Sequence, residues 1–174
     1  NHADHILSDL ARNNYFTDRR LHLNPIYQYH PLFREFLLSM SESFFTTKEI
    51  NELRRKAGEI LEGVERYEEA LELFRDASCW EGITRLILKH ALALLGQGRN
   101  KVLEEWISTI PEEIICKTPW LLYWHGLSHL PLNPSKGIEN LELAFNLFKE
   151  QRDVTGVFMS WSSIVQSTTH ITMN

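Results

Sequence analysis

Two histidines have the spacing that could bind a metal ion. His125 and His129 lie four positions apart in a segment with helical periodicity, so both rings would project from one helix face. No cysteine or carboxylate in the same helix completes a ligand set. We therefore expect this pair to pack between helices or on the surface, and we predict no metal site.

Acidic pairs are the next candidates for chemistry. Glu104/Glu105 and Glu112/Glu113 could act as a general acid and base, but nothing places them in an apolar cleft that would raise a carboxyl pKa. No serine or cysteine has the surroundings of a nucleophile. The sequence therefore predicts that this chain is not an enzyme.

Tryptophan positions suggest a binding surface. Helical repeat arrays bind ligands on concave faces, so several of the five tryptophans could line a groove for a ligand or partner. Aromatic residues at helical spacing also form cores, and that alternative stays open. The groove candidates are Trp80, Trp106, Trp120 and Trp124.

Composition and charge restrict the function classes. The 174 residues are 43% hydrophobic and 24% charged, which suits a folded protein, and the net charge of −5 argues against direct nucleic-acid contact. The two cysteines are too few for a disulfide scaffold and fit a reducing compartment. No apolar run approaches the roughly 20 residues of a membrane span. We expect a cytoplasmic protein without membrane contact.

Helices must position these residues. Thr46 with Glu49, and Ser78 with Glu81, have the spacing of capping boxes. Thr118 is a further predicted cap, followed by a proline at the first helical position. Glycine, proline and apolar periodicity predict further boundaries. The expected helices from residue 46 onward begin near residues 47, 67, 79, 100, 119, 134 and 154.

The helices from residue 48 onward form pairs with a period near 34. Ala70, Leu103 and Gly137 are 33 and 34 residues apart. Two further series keep these spacings: Phe74, Ile107, Leu141; and Ala77, Ile110, Ala144. Small residues at Gly58, Ala91 and Gly126 would allow close helix crossings. This period is that of tetratricopeptide repeats, so we predict a stack of helical hairpins.

The first 45 residues have a different pattern. A short helix at 3–13 precedes two aromatic segments, 15–17 and 26–29, which flank the turn-rich stretch 18–25 and predict a β-hairpin. A helix from Pro31 to about Ser41 follows. Helix, hairpin and helix in this order suggest the end of a winged-helix domain. The predicted fold is therefore all-α with one small hairpin: a winged-helix remnant at 1–45 and a tetratricopeptide-like domain at 46–174, truncated at its C-terminus.

Several segments resemble one protein family. Residues 27–37 read Y-Q-Y-H-P-L-F-R-E-F-L, and later segments read R-R-K-A-G-E-I-L-E at 54–62, Y-E-E-A-L-E at 67–72, L-E-E-W-I-S-T-I-P-E-E at 103–113 and P-S-K-G-I-E-N-L-E-L-A-F-N-L-F at 134–148. Together they resemble MalT-like ATP-dependent transcription regulators of the signal-transducing ATPase class, which carry a LuxR-type DNA-binding domain. The resemblance covers nearly the whole chain.

The resemblance implies the role of this segment. The family order is a P-loop ATPase, a winged helix, a helical arm, a tetratricopeptide-like sensor and a helix-turn-helix. We expect this chain to be a piece of such a protein and to lack the ATPase, since it has no G-x-x-x-x-G-K-[ST] motif. No cofactor is then expected in this piece, whereas ATP or ADP would bind the parent protein.

His30 is the candidate nucleotide sensor. In this class of ATPases a winged-helix histidine in an H-x-L context contacts the ADP phosphate in the resting state. His30-Pro31-Leu32 is similar, with proline where the family usually has aspartate. A phosphate would also be favoured at the start of the following helix. The alternative is that His30 only caps this helix and packs.

These observations predict a non-catalytic signalling and assembly module. It would relay inducer and nucleotide state to oligomerisation and to DNA binding by parts absent here. Its expected partners are other domains of the same protein, further copies of itself, and a small-molecule or protein inducer. The alternative is a stand-alone tetratricopeptide-type adaptor that holds a peptide.

Overall fold

A computed structural model describes residues 2–13, 15–20 and 26–172. The elements in chain order are α1 (His2–Arg12), β1 (Thr17–Arg20), β2 (Ile26–Tyr29), α2 (Pro31–Phe44), α3 (Thr47–Gly63), α4 (Tyr67–Asp76), α5 (Trp80–Gly96), α6 (Asn100–Ser108), α7 (Glu112–Ile115), α8 (Pro119–His129), α9 (Pro134–Gln151) and α10 (Val154–Thr172).

The fold class agrees with the prediction. Ten helices and one two-stranded antiparallel hairpin make up the described chain, so the all-α fold with a small hairpin is confirmed. None of the helices described is both long enough and apolar enough to cross a membrane. The chain divides into two compact units, Asn1–Glu52 and Leu53–Asn174. This division falls within α3, a few residues after the sequence-based boundary at 45/46.

The N-terminal unit contains the hairpin, but its strands differ from the prediction. Thr17 pairs with Tyr29 and Arg20 with Ile26, so residues predicted as turn belong to β1. Phe16 precedes the strand with a φ of 50°, a left-handed conformation that cannot continue a strand. The predicted strand start at residue 15 was therefore wrong. The rest of the predicted turn, residues 21–25, lies outside the described residues.

The second unit consists of consecutive helices packed side by side. Neighbouring helices contact each other in the order α4, α5, α6, α8, α9, α10, and the first helices of successive pairs also meet, α5 with α8 and α8 with α10. The short helix α7, which the sequence analysis did not predict, connects α6 to α8. The core belongs to this unit; among the described residues up to Glu52, only Thr17 is buried.

The repeated positions have equivalent surroundings. Phe74, Ile107 and Leu141 are completely inaccessible to solvent, and their companions Ala70, Leu103 and Gly137 are also buried. A period near 34 therefore marks the contact face of the second helix in each pair. Equivalent burial at equivalent spacing identifies a helical repeat array.

Glycines allow the closest helix contacts. The ring of Phe74 lies between Gly58 of α3 and Gly82 of α5, where an added Cβ would come within 2.7 and 2.9 Å of its carbons. A Cβ at Gly126 of α8 would lie 2.9 Å from the carbonyl oxygen of Gly137 of α9. These contacts explain why small residues recur at the crossings.

Four helices end in the same type of turn. In each, the backbone N–H after a left-handed residue donates to the carbonyl five positions earlier, as in Arg66 to Leu61 and Asp153 to Phe148, both at 2.9 Å. The left-handed residues are Glu65, Ser78, Gly98 and Arg152, with φ between 52° and 71°.

One predicted cap formed and two did not. Thr46 and Glu49 make the capping box, since the Thr46 N–H donates to Glu49 Oε2 at 2.8 Å. Ser78 instead closes the preceding turn, so it cannot also be the extended N-cap of α5, and the Ser78–Glu81 box was wrong. Pro119 begins α8 as predicted, but the Thr118 hydroxyl donates to the Ile114 carbonyl and caps no α8 N–H.

Candidate functional site

His30 sits between the hairpin and α2. Its backbone N–H donates to the Phe16 carbonyl at 2.7 Å, and its own carbonyl accepts from the Arg34 N–H at 2.9 Å. The imidazole makes no capping hydrogen bond to α2 and is exposed, with the Phe16 ring edge-on at 6.5 Å between centroids. The backbone of His30 therefore starts the helix, and its ring is accessible. Nucleotide contact by His30 stays a prediction.

Aromatic side chains hold this junction together. The Phe33 ring of α2 stacks on Phe16 at 5.6 Å and meets Tyr29 edge-on at 5.6 Å. These contacts tie the first turn of α2 to the last residue of β2 and position His30 between them.

A cavity of about 400 Å³ opens beside His30. Its lining includes Tyr27, Tyr29, Pro31, Arg34 and Glu35. Arg34 and Glu35 contribute opposite charges, so the lining has no excess of positive charge to attract a phosphate by itself.

The four predicted groove tryptophans have different surroundings. Trp106 and Trp124 are buried in the core, at 7% and 8% exposure. Trp80 and Trp120 are half-buried and pack against that core. The Trp120 indole N–H donates to Asp153 Oδ2 at 3.2 Å, and its ring meets Phe148 edge-on at 4.9 Å. Only Trp80 and Trp120 thus offer a partly accessible surface, and their role in binding stays a prediction.

A histidine pair forms the most unusual polar cluster in the described chain. His125 Nε2 and His129 Nε2 on α8 lie 2.9 Å apart, and their ring centroids are separated by 4.4 Å. Glu104 of α6 places a carboxylate oxygen 3.6 Å from His129 Nδ1. His129 is buried, whereas His125 and Glu104 are half-buried. The i,i+4 spacing on α8 and the packing of α6 against α8 assemble the cluster.

The surroundings favour neutral imidazoles. Burial is the main cause that lowers the pKa of His125, to about 4, and the charges of His129 and Lys136 add to it. Burial also lowers the pKa of His129, although the Glu104 charge opposes that shift. The carboxylate favours a proton on His129 Nδ1, which leaves its Nε2 as acceptor for the His125 Nε2–H.

The cluster does not form a complete metal site. Glu104 faces Nδ1, on the opposite side of the His129 ring from His125. Across residues 2–13, 15–20 and 26–172, no group of three or more histidine, cysteine or acidic side chains is arranged to hold an ion. Sequence analysis identified the histidines but missed Glu104 as their partner. Its position next to Leu103, on the face of α6 that packs inward, was the available signal.

A second groove lies where α8, α9 and α10 meet. It encloses about 330 Å³, and it combines leucine and proline side chains from the α8–α9 turn with serine and glutamine side chains from α10. The Ser163 hydroxyl on its α10 wall lies 3.4 Å from the Tyr123 hydroxyl. The lining residues carry no formal charge: Leu127, Leu130, Pro131, Pro134, Ser163, Gln166 and Ser167.

No protein-family model matches this chain, and no curated protein matches it in sequence.

Proposed function

We propose that this chain is a non-catalytic signalling and assembly module of a MalT-like, LuxR-family transcription regulator. Inducer binding to the sensor repeats and ATP binding to an upstream ATPase domain would shift the parent protein from a closed monomer to a DNA-binding oligomer. The chain's part is mechanical, since it would carry the change between the domains that bind the ligands.

One observation carries the proposal. A small helix–hairpin–helix unit is followed in the same chain by a stack of helical pairs whose residues 33 and 34 positions apart share one buried face. This is the order of winged helix, arm and sensor that the resemblance implies. The segment Y-Q-Y-H-P-L-F-R-E-F-L falls on the hairpin exit and the start of α2.

Contacts between pairs favour rigid-body movement. Glu62 of α3 pairs with Arg85 of α5 at 2.7 Å, and that guanidinium also lies 5.7 Å from the centre of the Phe74 ring. Only residues 45 and 46 separate α2 from α3. The proposal places a hinge in the segment 38–47. Within that segment residues 45 and 46 lie outside the helices, and a change in their backbone angles would reorient a whole helix.

Nucleotide exchange in the full-length regulator tests the proposed role of His30. His30→Ala should speed ADP release and raise basal transcription activation, because a phosphate contact of the resting state is lost. His5→Ala, in the same unit, is the matched control and should leave both unchanged. Unaltered ADP release in His30→Ala would contradict the sensor role.

The isolated chain provides a second test of the proposal. It should show no binding of ATP, ADP or duplex DNA at physiological salt, measured by calorimetry and fluorescence anisotropy. The gene should also encode a P-loop upstream and a helix-turn-helix downstream. Submicromolar DNA affinity of the chain, or a gene that lacks both flanking domains, would contradict the proposal.

The groove between α8, α9 and α10 favours a second candidate function. An uncharged, largely apolar groove beside two prolines could hold a short neutral peptide, as in a stand-alone tetratricopeptide-type adaptor. Peptide-library selection on the chain tests this reading. Enriched peptides whose binding is lost in Leu130→Glu and kept in Leu92→Glu would favour the adaptor, whereas the flanking domains above are expected only for the regulator.

A further inference from the structure

The outer face of α10 carries a continuous apolar stripe. Val154, Phe158, Trp161 and Val165 are spaced by four, three and four residues and are 66%, 66%, 55% and 42% exposed. This spacing places all four on one side of the helix. Isolated exposed apolar residues are common, but an aligned stripe with two aromatic rings is the pattern of a contact surface.

The alignment of the repeats identifies the residues of α5 that are equivalent to this face of α10. The turn before α10 matches the turn before α5. Phe148 lies four positions before the left-handed Arg152 and eight before Gly156, which it contacts. Phe74 has the same spacing to Ser78 and Gly82. In this register Trp161 and Val165 correspond to Ile87 and Ala91 of α5.

The corresponding residues of α5 are covered. Ile87 and Ala91 are completely buried, and α5 has neighbours in α4, α6 and α8. In the described chain α10 contacts α9 and α8. The second half of the stripe, Trp161 and Val165, is therefore equivalent to positions that are buried in α5, whereas Val154 and Phe158 correspond to the half-buried Trp80 and Thr84.

The absence of charged side chains on α10 and the area of its stripe indicate that a second copy of the chain covers it. Between Val154 and Thr172 the helix contains no Asp, Glu, Lys or Arg, so two copies of it can approach without like-charge repulsion. Covering the stripe and the small polar residues beside it removes roughly 500 Å² per copy, or about 1,000 Å² per pair, which is the lower limit for a specific dimer.

We propose that the chain forms a weak homodimer through α10. The contact is isologous: the stripe of Val154, Phe158, Trp161 and Val165 packs against the same stripe of a second copy across a two-fold axis. With this area the dissociation constant should be on the order of 10–100 µM. The inference rests on the proposed assembly role and assigns a surface to its self-association.

Analytical ultracentrifugation of the chain, at concentrations of roughly 5 to 500 µM, measures self-association through this interface. The wild type should shift from 20.4 kDa toward twice that mass as concentration rises. Trp161→Glu should weaken association by more than about tenfold, because two carboxylates would be buried at the contact. Phe158→Ala should weaken it several-fold without introducing charge.

Two variants of other exposed apolar residues serve as matched controls. Leu92 on α5 is 72% exposed and Phe36 on α2 is 55% exposed, and each is changed to glutamate. Both should dimerise like wild type. Circular dichroism verifies that every variant is folded.

Three results would overturn the proposal: a wild type that remains monomeric at the highest concentration, a dimer that Trp161→Glu leaves intact, or a dimer that only Phe36→Glu disrupts. These results leave the ADP-release test of His30 unaffected, so a failed dimer interface is distinguishable from a failed regulatory role.

Discussion

Glu104 on α6 and two histidines on α8, His125 and His129, form a polar cluster within a largely apolar stack of helices. The Nε2–Nε2 distance of 2.9 Å requires one ring to donate and the other to accept. Protonation of the accepting ring places two N–H groups opposite each other. The hydrogen bond between the two rings, both on α8, therefore exists only while both imidazoles are neutral.

The unfolding free energy should depend on pH through these histidines. Their folded pKa values lie below the ordinary value of 6.5, that of His125 at about 4, so the unfolded chain binds more protons in between. Stability is fully present above about pH 6.5 and falls as the pH drops toward 4. Because solvent partly screens the half-buried His125, its loss alone should be on the order of 1–2 kcal/mol, less than the full pKa shift would give.

Urea unfolding between pH 7.5 and 5 measures this dependence. The histidine contribution separates from that of Glu62, because the hydrogen bond from Arg85 lowers the pKa of this carboxyl although burial opposes the shift, and its effect on stability appears below pH 4.5. His125→Gln should flatten the slope. His5→Gln, on the exposed α1, is the control, and an equal slope in wild type and His125→Gln would refute the assignment.

Two glycines that lie close together determine how tightly α8 packs against α9. Gly126 of α8 and Gly137 of α9 bring two helix backbones together, and the prospective Cβ atom at Gly126 would also meet the Leu141 side chain at 2.8 Å. A carbonyl oxygen at 2.9 Å belongs to the backbone and cannot rotate away. The α8–α9 crossing therefore depends on the absence of a side chain at this position.

Gly126→Ala should destabilise the protein by about 1–3 kcal/mol, since overpacking outweighs the gain of up to about 1 kcal/mol in helix propensity. Chemical denaturation measures the difference. Gly96→Ala is the matched control: Gly96 ends α5 with no atom within 4 Å of its prospective Cβ, so the change should be neutral or slightly stabilising. Equal effects of the two substitutions would contradict the packing argument.

Buried hydrophobic residues are unevenly distributed between the two units. The unit from Leu53 onward contains all buried hydrophobic residues of the described chain, whereas α2 in the other unit exposes Leu32, Phe36, Met40 and Phe44 along one side. A unit with little buried apolar surface opens more readily. The N-terminal unit should therefore open more readily than the helix stack.

Hydrogen exchange should show this difference in stability. Amides in the middle of α2 should exchange at least about tenfold faster than those in the middle of α5 or α8, because α5 and α8 lie within the helix stack. Mass spectrometry of peptides from 31–44 and 81–95 measures both. Comparable protection of the two peptides would show that the N-terminal unit has the stability of the array.

Local and periodic features could be predicted from the sequence. Helix positions and the Thr46–Glu49 cap depend on residues within a few turns of one another, and the period near 34 is a regular recurrence of residue types, so all three can be read along the chain. The small hairpin was predicted, but its register was not, because Phe16 adopts a left-handed conformation that no local residue type signals.

Tertiary structure alone decided which distant side chains meet. Glu104 reaches His129 only because α6 crosses α8, and Trp106 and Trp124 enter the core by the same packing. The Ser78 cap failed for a local reason instead: Ser78 is left-handed in the turn that ends α4, and one residue cannot be left-handed and extended at once. Periodicity determines which face of a helix is buried. The partner across that face depends on crossings that bring together residues far apart in the chain.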